Sequence, residues 1–271
     1  MTAPTRWSAT IEGIGFWSRG LPSWAAARGF VADGIAPTGT PARPSAQLLA
    51  PNERRRAPES VAVALDVALA ACTAAGRDPA SLPSVFASTH GDLTITDYMC
   101  ATLIDDPQAI SPTRFHNSVH NAAAGYWTIG AGAMQPATAI SAFDATFAQG
   151  LLEALVQLAT GNEAVLLVGY DGYSCGPLTR VSPSEGVVGG ALVLSREANP
   201  GKTRLHASLH DGDVADDQPS GALARRDHAN AIAPMLALFD VLAGGGTEGD
   251  LSQAELKAGP GRVLRVEIEH V

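Results

Sequence analysis

Apolar and polar positions change their period along this chain and lay out an alternation of strands and helices. Residues 7–13 (Trp-Ser-Ala-Thr-Ile-Glu-Gly) mix the two kinds in the manner of an opening strand. Trp17, Trp24 and Phe30 are then scattered through a Gly/Pro-rich stretch that runs to Pro44 and reads as irregular structure with apolar anchors. From Pro58 to Ala75, the spacing of Val61, Leu65, Ala68, Leu69 and Cys72 predicts a helix with one apolar face. Gly76 follows it, a residue that tolerates the left-handed backbone of a helix C-cap.

Ser84 to Ser88 predicts a short buried strand, with a helix next at roughly 94–104. The segment 111–121 is polar and reads as irregular, and Ala122 to Ile129 as a small-residue helix. Gln135 to Ala142 suggests a strand, residues 145–159 a strong helix stopped by Gly161, and Ala164 to Gly169 a continuously apolar strand. Strand, helix and apolar strand in that order are the signature of a βαβ unit whose strands are covered on both faces. A further strand at 187–195, an acidic surface loop at 211–221, a helix from Arg226 to Leu242 and an alternating strand at 263–269 complete the pattern. The expected fold is a layered α/β sandwich in a single domain over residues 1–271, without internal repeats.

Composition narrows the function classes. With 271 residues and 46% hydrophobic content the chain can bury a substantial core. A net charge of -9 argues against a broad nucleic-acid contact, which needs a basic field. Cys72, Cys100 and Cys175 lie far apart and form no CxxC pair, as expected of reduced thiols rather than a disulfide or zinc framework. No apolar leader follows Met1 and no apolar run reaches membrane-spanning length, so a cytoplasmic protein without a membrane span is expected.

The densest positive cluster is Arg54-Arg55-Arg56, which could touch a phosphate or form a solvated, partner-facing loop. His116 and His120 stand four residues apart but lack the intervening glutamate of a zinc helix, so no metal is expected. His90 and Asp92, near a strand end, suit either a cleft or a turn. Cys175, in a loop with no histidine beside it in sequence, is a weak nucleophile candidate.

Several ordered segments point to one family. They are Asn117 to Ile129, Ala139 to Gly150, the helix up to Gly161 with Ala164 to Asp171, and Ser184-Glu185-Gly186-Val187-Val188-Gly189-Gly190 with the apolar run behind it. Together, over residues 84–196, they resemble the N-terminal half of the beta-ketoacyl synthases, the thiolase-like condensing enzymes. The likeness is nearest to the short chain-length-factor-like subunits of aryl polyene and xanthomonadin-type pigment pathways. It implies a thiolase-like α-β-α sandwich, mainly one thiolase-type half with a reduced C-terminal part, and needs no cofactor.

The resemblance also marks two departures. Counting back from Gly169 and Gly161, the family's nucleophilic cysteine falls on Asp144, and no His-Gly-Thr or Gly-His pair supplies the family's catalytic histidines. Asp144 would sit at a helix start, where a carboxylate serves as a cap; it could instead support a partner's catalysis or act as a base in altered chemistry. Phe143, Phe147, Tyr126 and Trp127 fall in the family's interface and acyl-pocket region, as core packing or as the boundary of an acyl tunnel. Glu185 and the glycines after it suit fold roles. The resemblance implies a partner subunit of a full-length ketosynthase, with acyl carrier protein as a second partner that Arg54, Arg55 and Arg56 could contact. The alternatives are a carrier-protein-dependent decarboxylase or hydrolase using Asp144, and a carrier-protein-binding scaffold.

Overall fold

The computed structural model describes residues 5–214, 219–247 and 249–270. Met1–Pro4, read above as the start of a chain without a leader, and 215–218, within the expected acidic loop, lie outside the described residues. Eight strands form one mixed sheet in the order β3-β2-β4-β5-β1-β6-β8-β7. They are β1 (Arg6–Ser18), β2 (Ser84–Ala87), β3 (Ala137–Ile140), β4 (Ala164–Asp171), β5 (Val188–Ser195), β6 (Arg204–Asp211), β7 (Leu251–Gly259) and β8 (Arg262–Glu269). β2 pairs in parallel with β3 and β4, which requires crossover connections through helices, and the remaining pairings are antiparallel.

The helices are α1 (Trp24–Asp33), α2 (Pro51–Arg54), α3 (Glu59–Ala75), α4 (Leu93–Asp105), α5 (Pro112–Asn117), α6 (Ala122–Ala131), α7 (Thr146–Ala159), α8 (Ala222–Asp227) and α9 (Leu236–Gly244). α3 and α6 cover one face of the sheet, with Val67, Ala71, Trp127, Phe86 and Val168 in a single core cluster. α7, α9 and α1 cover the other, where Leu151, Leu155, Phe239, Val85 and Leu167 meet. β4 and β5 are buried at every position, which accounts for their unbroken apolar sequences. Gly13 and Gly15 let α3 approach β1 closely: a Cβ on Gly15 would collide with the Val67 carbonyl.

The far end of the sheet returns to α7. Ala254, Leu256 and Ala258 of β7 share the core with α7, and Gln149 Nε2 donates to the Ala258 carbonyl at 2.6 Å. α7 therefore packs against β2 and β4 and also against β7, while the sheet lies between α3 and α6 on one face and α7, α9 and α1 on the other.

Five expectations need correction. The stretch 17–44 contains α1, started by Ser23, whose side chain accepts from Ala26 N, and ended by left-handed Gly34. The arginine run opens as the helical turn α2, and Ser111 with Pro112 starts the short α5 inside a segment expected to be irregular. The helix expected over 226–242 is broken, because Pro234 has no N–H and sits in a 3-10 turn between α8 and α9. Strands β6 and β7 were not anticipated at all.

Candidate functional site

The turn from β3 into α7 is built on an unusual backbone. After Ile140 the chain passes Ser141 and Ala142 into a 3-10 turn, Phe143–Ala145, before α7 begins at Thr146. Phe143 has φ 51°, the only non-glycine residue with positive φ among the described residues. Such a conformation strains a side-chain-bearing residue and persists where its surroundings over-determine it. Thr146 does the fixing: its Oγ1 accepts from Ala142 N at 2.9 Å and donates to the Phe143 carbonyl at 2.6 Å. Ser141 Oγ donates to the Thr89 carbonyl at 2.9 Å and ties the turn to the loop after β2.

Asp144 is not the helix cap that its position suggested. The N-cap of α7 is Ala145, with no side-chain hydrogen bond, because Asp144 stands in the preceding 3-10 turn. Its Oδ2 instead lies 2.6 Å from Lys257 Nζ on β7, with about half of its side chain exposed. A cavity of about 780 Å³ opens beside this pair. His228, Asp240 and Glu255 bring polar groups to its wall, and Ala237 and Val241 bring apolar ones.

Behind the turn, a buried carboxylate organises the loop that follows β2. Asp171, 1% exposed at the end of β4, accepts from Ser88 Oγ at 2.7 Å, Thr89 N at 2.9 Å and His90 N at 3.2 Å. Burial pushes its carboxyl above the ordinary carboxylate value, against the pull of these hydrogen bonds. Sequence reasoning missed it, although an aspartate closing a continuously apolar strand was a visible signal. Tyr170 beside it is likewise pushed up by burial.

The other candidates have local tasks. Asp92 caps α4, accepting from Ile95 N at 3.0 Å and Ser60 Oγ at 2.7 Å. A His120 ring nitrogen lies 2.7 Å from the Ser88 carbonyl, while the His116 ring meets Tyr126 edge-on, so the two histidines do not converge on a common point. No group of three potential metal ligands exists among the described residues. Arg54 folds back onto the Gln47 and Leu49 carbonyls and Arg55 bonds Asn52, whereas Arg56 faces a different cavity. Glu185 makes its backbone bond to Ala229, a fold contact. Burial pushes the Cys72 thiol up to about 12, and it also raises that of Cys175, whose Sγ lies 4.0 Å from the Leu93 carbonyl.

Phe143, Phe147, Tyr126 and Trp127 do not form one aromatic cluster. Phe147 is buried against Phe239 on the α7 face of the sheet, and Trp127 against Phe86 on the α3 face. The sheet stands between them because α6 and α7 pack on opposite sides of it. Phe143 is 79% exposed. Ile129 in α6 and Met134 just before β3 are also exposed, and β3 has no strand on its outer side among the described residues. A groove of about 560 Å³ continues from Ile140 and Ala142 along Leu152 and Val156 of α7. No helix is long and apolar enough to cross a membrane among the described residues.

Comparisons with known proteins agree with this geometry. The family of the beta-ketoacyl synthase N-terminal domain matches residues 24–244. Among solved structures, the ketosynthase ApeO in complex with its chain length factor ApeC from Xenorhabdus doucetiae is similar at TM-score 0.73 and 21% identity, over 96% of this chain and 98% of that one. The ishigamide ketosynthase/chain length factor gives TM-score 0.75 at 14% identity, over 98% and 99% of the two chains. A beta-ketoacyl synthase from Burkholderia phymatum gives 0.67 at 13%, over 98% and 100%. No curated protein matches by sequence. The α/β layering described above is thus the thiolase-type sandwich, and a match over most of its length makes this chain a member of the beta-ketoacyl synthase family.

Proposed function

We propose that residues 1–271 act as one ketosynthase-like domain, a non-catalytic partner that pairs with a full-length ketosynthase. Its role is that of a chain-length factor in fatty-acid- or polyketide-type elongation of the aryl polyene kind. The observation that carries this reading is Phe143. Condensation needs a nucleophile that holds the acyl chain, presented at the strand-to-helix turn. In this chain the strained residue of that turn is Phe143, with φ 51°, and a phenyl ring can form no thioester. We assign the nucleophile position to Phe143 rather than to Asp144, which follows it and is engaged by Lys257.

Two histidines of the C-terminal part, His206 and His210, are occupied in the sheet, whereas His228 lies on the wall of the cavity beside Asp144. His206 lies between Ser8 and Glu269, and His210 bonds Ser208. They are therefore poorly placed to promote decarboxylation or to stabilise an oxyanion at the turn. Support for pairing comes from the open edge of β3, the exposed apolar side chains Ile129, Met134 and Phe143 around it, and two similar structures that are ketosynthase/chain length factor assemblies. An apolar surface beside an unpaired strand is a natural docking face. Acyl carrier protein is the second partner of the assembled pair.

The test is coexpression with a full-length ketosynthase from its own genome, followed by condensation assays on the complex and on each subunit. A stable complex that alone elongates malonyl units supports the reading. Turnover by this chain alone, abolished in Asp144→Ala, would replace it with an enzyme of altered chemistry.

A further inference from the structure

Thr89 stands where three separate parts of the fold meet. Its backbone is held from the end of β4, where Asp171 takes Ser88 Oγ, Thr89 N and His90 N, and Ser88 N donates to the Ile140 carbonyl at 3.1 Å. The side chain is half-buried, and its Oγ1 lies 3.4 Å from the Phe143 carbonyl oxygen and 3.4 Å from that of Ala231. Phe143 belongs to the strained turn before α7. Ala231 belongs to the segment between α8 and α9, whose Ala233 and Pro234 stand on the wall of the cavity beside Asp144.

A hydroxyl carries one proton, so Thr89 donates to only one of these carbonyls at a time. Both distances exceed the usual O–H···O bond of about 2.7–2.8 Å, so distance alone does not choose between them. The competing donor does. The Phe143 carbonyl already accepts from Thr146 Oγ1 at 2.6 Å, which leaves the Thr89 proton to Ala231. The Asp171 carboxylate also faces the Thr89 side chain, but its oxygens are occupied by the three donors that hold the loop. Around Ala231 the other bonds use different groups: Ala231 N donates to Ser184 Oγ at 3.0 Å, and Asn230 Nδ2 to the Glu185 carbonyl at 2.9 Å.

We infer that Thr89 is a relay that links the strained turn to the cavity wall. With the turn closed, Thr146 serves the Phe143 carbonyl and the Thr89 proton goes to Ala231. When the Thr146 bond opens, the Phe143 carbonyl lacks that donor, and the Thr89 hydroxyl rotates to it and leaves Ala231. The segment 229–235 then loosens although the loop itself stays in place, because Asp171 holds it at three points. The link runs both ways: a wall segment that draws the proton to Ala231 favours the closed turn. The relay operates in the isolated chain, whatever pairs with the edge of β3.

Hydrogen exchange of the full chain, read by mass spectrometry over 141–147 and 229–235, tests the relay. Thr146→Val removes the hydroxyl that serves Phe143 and should raise exchange in both segments. The rise in 229–235 should be at least about threefold, the scale of one neutral hydrogen bond. Thr89→Val should raise exchange in 229–235 by itself; adding Thr146→Val to it should raise 141–147 and leave 229–235 where it was. Thr89→Ser keeps the hydroxyl and should preserve the response to Thr146→Val. If Thr146→Val does not fold, sub-denaturing urea is the perturbation: the two segments should open together in the unsubstituted chain and separately in Thr89→Val. A response of 229–235 that persists undiminished without the Thr89 hydroxyl would overturn the proposal, as would no response in the chain that keeps it.

Discussion

Lys257 Nζ, on the C-terminal strand β7, lies 2.6 Å from Asp144 Oδ2, in the turn that leads into α7. The pair connects two parts of the chain more than a hundred residues apart in sequence, yet both side chains are about half exposed. Water screens such a pair, and exposed ion pairs contribute at most about 1 kcal/mol. Asp144→Asn should therefore lower unfolding free energy by no more than that in a urea titration and should leave the far-UV spectrum unchanged. A much larger loss would assign Asp144 a structural role that this geometry does not contain.

The neighbouring residue should behave differently. Phe143 holds a positive φ while its side chain is 79% exposed, so the backbone carries strain with little burial to offset it. Glycine adopts that backbone freely and alanine does not. Phe143→Gly should be more stable than Phe143→Ala by about 1 kcal/mol, the ordinary penalty for a left-handed L-residue. If the two variants unfold at the same denaturant concentration, the turn is not strained in solution.

Much of the fold was legible because its central elements satisfy one dominant demand. Ala164 to Asp171 is covered on both faces, which leaves an unbroken apolar run, and the helix before it repeats its apolar residues at helical spacing. The missed strands answer to mixed demands. In β6, Leu205 and Ala207 point into the core while His206 bonds Ser8 and Glu269 on the neighbouring strands and Ser208 bonds His210 on its own, so the alternation is diluted by polar side chains. In β7, Ala254, Leu256 and Ala258 alternate with Gln253, Glu255 and Lys257, but only these three small or medium residues mark its buried face, and Leu251 at its start is exposed. The strand-to-helix turn that holds the candidate residues was legible as a turn, but not its backbone. Counting between glycines led to Asp144, whereas the backbone dihedral that distinguishes the turn belongs to Phe143, and no sequence period encodes a single dihedral. That the aromatic candidates separate across the sheet was equally invisible, because which face a helix covers depends on the crossover.

Buried acids set the pH response. Desolvation raises the carboxyls of Asp66, Asp171, Asp227 and Asp240 above their ordinary values. A raised native pKa means that the folded state holds protons more tightly than the unfolded one. The contribution is complete below the unfolded value of about 4 and is lost as pH climbs through the raised native values. Stability from these groups should therefore decline on going upward from about pH 4. Asp171→Asn removes one of them and should flatten the slope without abolishing it, since the other three remain. The same change leaves one of the donors Ser88 Oγ, Thr89 N and His90 N facing an amide nitrogen, at a cost of about 1–3 kcal/mol. Hydrogen exchange at residues 88–91 should rise with it. A steeper pH slope in the variant would contradict the assignment.

The partner face yields the most discriminating prediction, because it separates pairing from folding. Met134 is 94% exposed and Ile129 70% exposed, so neither contributes appreciably to the core. Met134→Asp and Ile129→Asp should each leave the isolated chain within about 0.5 kcal/mol of its original stability, as surface substitutions usually do. If β3 pairs with a ketosynthase across this edge, each change buries a carboxylate in an apolar contact. The complex should then weaken at least about tenfold, the scale of a desolvated charge without a partner. Leu251→Asp, on the opposite edge of the sheet and likewise exposed, is the matched control and should leave pairing intact. The measurement is affinity for the coexpressed ketosynthase alongside chemical denaturation of the free chain. Equal affinities for all three variants would remove β3 as the docking edge while leaving open a complex through another face; loss in the Leu251→Asp variant alone would move the interface to β7.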